Sequence, residues 1–261
     1  MSSVAESTAV GPSAWQTMQC ELLVRPNRRA AIGLIALAND SSIEPDIWRF
    51  LPAGEAAMYT NRVPMANVVT VETLQAMEAK LTESVAGLMP DDELDVIAYG
   101  CTSGTMAIGA DRIAARIHEA KPGIAVTDPI SASLKGLRHL GCKRIALLTP
   151  YTDSVNDIVV GYIEARGFDI AAKGSFKQPG DPQICRISPQ AIYAAGQQLG
   201  SAGVDALFIS CTGLRVAEIL QPLEDELGEP VVASNQALAW DALRLAGYGE
   251  PVTGYGRLLR I

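Results

Sequence analysis

From residue 29 onward, short and almost wholly apolar runs alternate with longer stretches in which apolar positions return every three or four residues. The apolar runs predict strands over 30–38, 56–62, 94–100, 123–127, 144–149, 169–176, 205–210 and 230–234. The stretches between them predict helices over 71–88, 103–119, 130–140, 153–164, 189–199, 215–226 and 236–246. Strands alternating with helices imply an α/β fold of parallel sheets joined by helical crossovers. Strand runs with few polar positions imply sheets covered on both faces.

Part of this pattern occurs twice. The segment Asp95-Val96-Ile97-Ala98-Tyr99-Gly100-Cys101-Thr102 matches Asp205-Ala206-Leu207-Phe208-Ile209-Ser210-Cys211-Thr212: an aspartate, five strand residues, then Cys-Thr. Upstream, the strand over 30–38 ends near Asp40, 61 positions before Cys101, and the strand over 144–149 ends near Tyr151, 60 positions before Cys211. A period of this length is not that of a solenoid. It predicts two like α/β halves facing each other, the first formed by 29–128 with 235–261 and the second by 129–234.

Composition narrows the functional classes. The 261 residues are 48% hydrophobic and 19% charged, which suits a chain with a substantial core. With aromatics at only 5%, that core must come from Ala, Leu, Ile and Val. A net charge of −8 without a basic run argues against a nucleic-acid partner. The longest apolar run, 30–38, is far shorter than the roughly 20 residues of a membrane span. Residues 1–28 are expected to be a flexible tail without a signal core, and the protein is expected to be cytoplasmic. The five cysteines include no C-x-x-C pair, and His118 and His139 are the only histidines, so no zinc-ligand spacing exists. Reduced thiols are expected.

Two of those thiols carry candidate chemistry. Ligands of open parallel sheets bind at the carboxyl ends of strands, beside helix N-termini. Cys101 and Cys211 fall at such ends. Thr102, Ser103 and Gly104 after the first, and Thr212 and Gly213 after the second, supply hydroxyls and backbone N–H groups for a carboxylate or a developing oxyanion. Turns facing each other would set one thiol on each side of a small substrate, one removing a proton and the other delivering one, with no cofactor or metal. Cys20, Cys142 and Cys185 lack this context and read as structural; both histidines read as solvated.

At these residues the sequence resembles the aspartate/glutamate racemase superfamily. Within it, the nearest group in appearance is that of maleate cis–trans isomerases and arylmalonate decarboxylases, which includes an ectoine-utilisation branch. The resemblance spans about 29–261. It is carried by Ile32-Gly33-Leu34-Ile35 leading to Asp40-Ser41-Ser42-Ile43-Glu44-Pro45, then Tyr99-Gly100-Cys101-Thr102-Ser103-Gly104-Thr105 and Leu148-Thr149-Pro150-Tyr151. Ile209-Ser210-Cys211-Thr212-Gly213-Leu214-Arg215 and Ser234-Asn235-Gln236-Ala237-Leu238-Ala239-Trp240 complete it.

The resemblance implies two Rossmann-like (flavodoxin-like) domains related by pseudo-twofold symmetry, with the active site in the cleft between them. It implies Cys101 and Cys211 as the catalytic pair and Thr102, Ser103, Tyr151, Thr212 and Gly213 as substrate-binding donors. Decarboxylases of the group carry glycine at the first cysteine position, so Cys101 argues for isomerase or racemase chemistry. Asn235-Gln236 reads as a structural helix start.

One departure stands out. Asp40 occupies the place of a substrate-binding asparagine of maleate isomerases, and a second such asparagine falls near Asp181. An ionised aspartate repels a carboxylate and pairs with an ammonium. Asp40 also resembles the aspartate that assists a catalytic cysteine in glutamate racemases, although it can equally serve as a turn or helix cap.

The leading expectation is therefore a cofactor-independent racemase or epimerase of an amino acid or its derivative, with a link to ectoine catabolism. The alternative is cis–trans isomerisation by thiolate addition to an alkene. Malonate decarboxylation and non-catalytic binding of a small molecule rank lower. The expected partner is a small carboxylate or amino acid, and a homodimer or homotetramer is the expected assembly.

Overall fold

The computed structural model describes residues 15, 17–22, 29–200 and 203–261. Most of the tail expected over 1–28 lies outside the described residues. In chain order the elements are β1 (Ala30–Leu37), α1 (Ile43–Phe50), β2 (Ala56–Val63), α2 (Val71–Ala76), α3 (Glu78–Ala86), β3 (Val96–Gly100), α4 (Thr102–Ile108), α5 (Ala110–Ala120), β4 (Ala125–Thr127) and α6 (Pro129–His139). They continue with β5 (Arg144–Thr149), α7 (Asp153–Glu164), β6 (Asp169–Ser175), α8 (Asp181–Ile184), α9 (Pro189–Gly200), β7 (Ala206–Ile209), α10 (Leu220–Leu227), β8 (Val231–Ala233) and α11 (Ser234–Leu245).

Each half forms a four-stranded, all-parallel sheet, in the order β2-β1-β3-β4 and β6-β5-β7-β8. The two orders are identical once the repeat is superposed, so the fold is two similar α/β domains. In such an order the connections leave in opposite directions between the first and third strands, which opens a crevice at their carboxyl ends. The two aspartates of the repeat have one job. Asp95 Oδ2 accepts from the Ala31 N–H (2.7 Å), and Asp205 Oδ2 accepts from the Lys143 and Arg144 N–H groups (2.9 and 2.7 Å). Each thus ties the start of its third strand to the start of the first.

Strands β1, β3 and β7 are buried along their whole length, as their unbroken apolarity requires. The core is Leu, Ile, Val and Ala with few rings. Helix α11 is buried over nearly its full length. It lies against α6, α1 and the strands of the first sheet, and it also reaches β8, joining the two halves. Among the described residues no helix is long and apolar enough to cross a membrane.

The helices depart from the sequence pattern in three places. The helix expected over 71–88 is split at Met77, where bonding tightens to the residue three back (Met77 N to Leu74 O, 3.4 Å). The one expected over 103–119 is split at Gly109, whose φ of 101° ends α4. The one expected from 215 begins only at Leu220, after a turn whose Val216 and Ala217 N–H groups donate to the Asp46 carboxylate (2.8 and 3.4 Å). Helices α1 and α8 were not expected; they are short, at eight and four residues.

Candidate active site

In the first domain β1 and β3 are neighbours, and Asp40 and Cys101 follow their carboxyl ends. In the second β5 and β7 are neighbours, followed by Tyr151 and Cys211. The four residues therefore leave the crevice strands of the two sheets. All four are buried.

Cys101 is the N-cap of α4. Its extended backbone (φ −144°) turns the side chain back over the helix start, and Sγ accepts from the Gly104 N–H at 3.2 Å, with Ser103 Oγ at 3.9 Å. Cys211 Sγ accepts from the Gly213 N–H at 3.4 Å. The buried Tyr151 phenol stands between the domains, beside the Cys211 thiol of its own domain and near Ser103 of the other. Thr212 Oγ1 donates weakly to Gly100 O (3.4 Å), which joins the two cysteine turns. Thr102 faces a different task, since its hydroxyl donates to Ser234 Oγ (3.0 Å) and anchors the start of α11.

Burial governs the charges here. It pushes the Cys101 thiol up to about 12, the Asp181 carboxylate adding to the rise while the Gly104 N–H and Ser103 oppose it. It lifts Cys211 well above the ordinary thiol value, again with Asp181 adding and Tyr151 opposing. Both thiols are therefore protonated near neutral pH. Asp40 is raised by burial, against the pull of the Ser42 and Ile43 N–H groups. Asp181 is raised by burial and then by Asp40, to about 7. Among the described residues no group of three or more His, Cys, Asp or Glu side chains is placed to hold a metal ion.

Several residues at the site were not singled out from sequence. Asp46, on α1, accepts from Val216, Ala217 and the Asn235 amide (3.2 Å), and Asn235 also donates to Thr212 O (2.9 Å). This network fixes the Cys211 turn of one domain from α1 and α11. Asn235 is thus a helix-start residue, as expected, that also holds the Cys211 turn. Cys185, read as structural, lies in the site: its thiol donates to Asp40 Oδ1 at 3.9 Å, and it borders Gly213. Arg62 holds the Asp40 turn by donating to the carbonyls of Leu37, Ala38 and Asp40 (2.9, 3.3 and 2.8 Å) while pairing with Glu44. Asp181 is positioned by the crossing before it. Gly180 bridges to Val68, and any Cβ at Gly180 would meet Asn67 O at 2.1 Å. Cys142 lies apart, its thiol donating to Asp205 O (3.4 Å). His118 and His139 are exposed.

With this geometry in hand, kinship is decisive. The profile of the arylmalonate decarboxylase family matches residues 51–259. The chain belongs to that family. Its similarity is not confined to decarboxylases. A maleate isomerase of Nocardia farcinica is 30% identical over 240 residues, 88% of this chain and 95% of that protein. An arylmalonate decarboxylase of Bordetella bronchiseptica is 34% identical, but over 139 residues, 52% of this chain and 58% of that protein. A solved Nocardia farcinica maleate cis–trans isomerase superposes with a TM-score of 0.80 at 28% identity, covering 88% of this chain and 98% of the other. That structure is a cysteine-to-serine mutant with a covalently bound succinylcysteine intermediate.

Proposed function

We propose that this isomerase interconverts the cis and trans forms of a small alkene acid by reversible addition of a cysteine thiolate. The observation that carries the reading is the pair of buried thiols, Cys101 and Cys211, brought to one site at the crevice ends of two like sheets with the Tyr151 phenol beside them. Relatives covering nearly the full length are maleate isomerases, and the succinylcysteine in one of them is the product of thiol addition across an alkene.

The reaction needs one thiolate and one thiol. Cys101 is assigned as the nucleophile, because it caps the start of α4 and its sulfur accepts the Gly104 N–H at 3.2 Å. Ionising a thiol of about 12 at pH 7 costs about 7 kcal/mol. That fits within the barrier of about 16 kcal/mol for turnover near 10 per second. The Cys101 electron pair forms the S–C bond at one alkene carbon. The neighbouring carbon takes the proton of Cys211, leaving it as thiolate. The former double bond is now single and rotates. Cys211 then removes a proton from that same carbon, the one that rotation has turned toward it, the S–C bond breaks, and the trans alkene leaves with both sulfurs restored. Ser103, Thr212 and the Gly213 N–H are the donors suited to the substrate carboxylate as charge develops.

Racemisation, the leading expectation from sequence, has less support. It requires α-proton removal without a covalent adduct, and none of the relatives described here is a racemase or an ectoine-utilisation protein. Proton NMR separates the two readings. With maleate and maleamate as probes, new trans-alkene signals support isomerisation, and they should vanish in Cys101→Ala and Cys211→Ala. Exchange of amino-acid α-protons in heavy water, with no alkene conversion, would overturn it.

A further inference from the structure

We propose that Asp40 and Asp181 form a recognition pole for a nitrogen group bearing N–H donors, so that the substrate is a cis-alkene monoacid with an amide or ammonium at its other end rather than a diacid. This rests on the isomerase reading for the alkene and deepens it by naming the substrate class.

The argument starts from acceptors without donors. Asp40 is 2% exposed and Asp181 6%. Asp40 Oδ1 is fully engaged by the Ser42 and Ile43 N–H groups (2.7 and 3.0 Å) and faces the Cys185 thiol. Its second oxygen, Oδ2, is buried and unpartnered, and so is Asp181 Oδ2. A buried acceptor without a donor is unfavourable, and two close together more so. The carboxylates act on each other and on both catalytic sulfurs, so the orphaned oxygens belong to the reacting site rather than to a remote core. The nearest cation, Arg62, is directed to backbone carbonyls and Glu44, and its effect on Asp40 ranks behind the hydrogen bonds. Among the described residues no cation offsets the burial of Asp181.

A ligand with N–H groups satisfies both orphaned oxygens. A second carboxylate adds a third negative group beside them. The site also holds polar hydrogens of its own, Ser103 beside Cys101 Sγ, Thr212 on Gly100 O and the Gly213 N–H on Cys211 Sγ, which one carboxylate of a bound ligand would recruit. It is thus polarised, with donors for an acid and acceptors for an amide or ammonium.

The test uses the saturated analogues succinamate and succinate, whose binding by titration calorimetry at pH 8 needs no turnover. The wild type should bind succinamate at least tenfold more tightly. In Asp40→Asn/Asp181→Asn the preference should fall to parity or reverse toward succinate; Asp181→Asn alone, should the double variant fold poorly, should cut it at least threefold. Equal or tighter binding of succinate by the wild type, binding of neither, or a preference unmoved by the substitutions would overturn the proposal. The two readings fail separately. Preferential binding of succinamate without conversion of maleamate or maleate would sink the isomerase reading alone, whereas faster conversion of maleate than maleamate would sink the nitrogen pole alone.

Discussion

Replacing Asp181 by asparagine should stabilise the protein, and more so at higher pH. In the folded chain the carboxyl is moved by burial, and then by Asp40, from 3.8 to about 7. Between those values the native state holds a proton that the unfolded chain has lost. Stability is therefore greatest below 3.8 and declines as pH rises toward 7. The whole shift corresponds to about 4 kcal/mol, of which about 2.6 kcal/mol falls between pH 5 and 8. Asparagine has no charge to bury and escapes this decline. Relaxation and water entry reduce the gain, leaving about 1–3 kcal/mol. With unfolding entropy near 2.1 cal/mol/K per residue, a chain of 261 residues converts this to about 2–5 °C in Tm. The assay is thermal unfolding of both proteins by circular dichroism at pH 5 and pH 8. The gap in Tm between variant and wild type should widen by that amount across the interval. A gap that is the same at both pH values would refute the idea that ionisation of a buried carboxyl is the cause.

Other substitutions probe the supports of the site. Asp46→Ala leaves the Val216 and Ala217 N–H groups and the Asn235 amide without their acceptor; it should cost about 2 kcal/mol in urea unfolding and lower kcat more than tenfold. Arg62→Met frees the carbonyls of Leu37, Ala38 and Asp40; KM should rise several-fold while kcat changes less, as steady-state kinetics would report. Cys142→Ser, away from both crevices, should leave turnover within about twofold of wild type, in contrast to either catalytic cysteine.

The parts of this architecture written locally in the chain were readable in advance. A run such as Asp205 through Cys211 encodes a strand, its anchoring carboxylate and the residue at its carboxyl end within seven positions. Two such runs at matching distances from Asp40 and Tyr151 placed the crevice residues before any coordinates existed. What sequence could not convey depends on contacts between distant segments. Asp46 acts on Val216 across 170 positions, and nothing in its own neighbourhood distinguishes it from an ordinary first-turn acid of a helix. Asp181 opens a helix of four residues and Cys185 caps it; the helix is too short to leave a period, and both meet Asp40 only because the crossing at Gly180 brings them there. For the chemistry, reading Asp40 as an ammonium partner favoured racemisation. The paired thiols and the kinship to maleate isomerases instead favour addition to an alkene, with Asp40 bearing on which alkene.

Intact-protein mass spectrometry of Cys211→Ser tests the central claim most directly. Without the Cys211 thiol the adduct forms but its return is slowed, so incubation with maleamate should add the mass of one substrate. Peptide mapping should place that mass on Cys101, and Cys101→Ser should stay unmodified. An unmodified Cys211→Ser, or an adduct on a residue other than Cys101, alongside a wild type that isomerises the same compound, would contradict addition by Cys101.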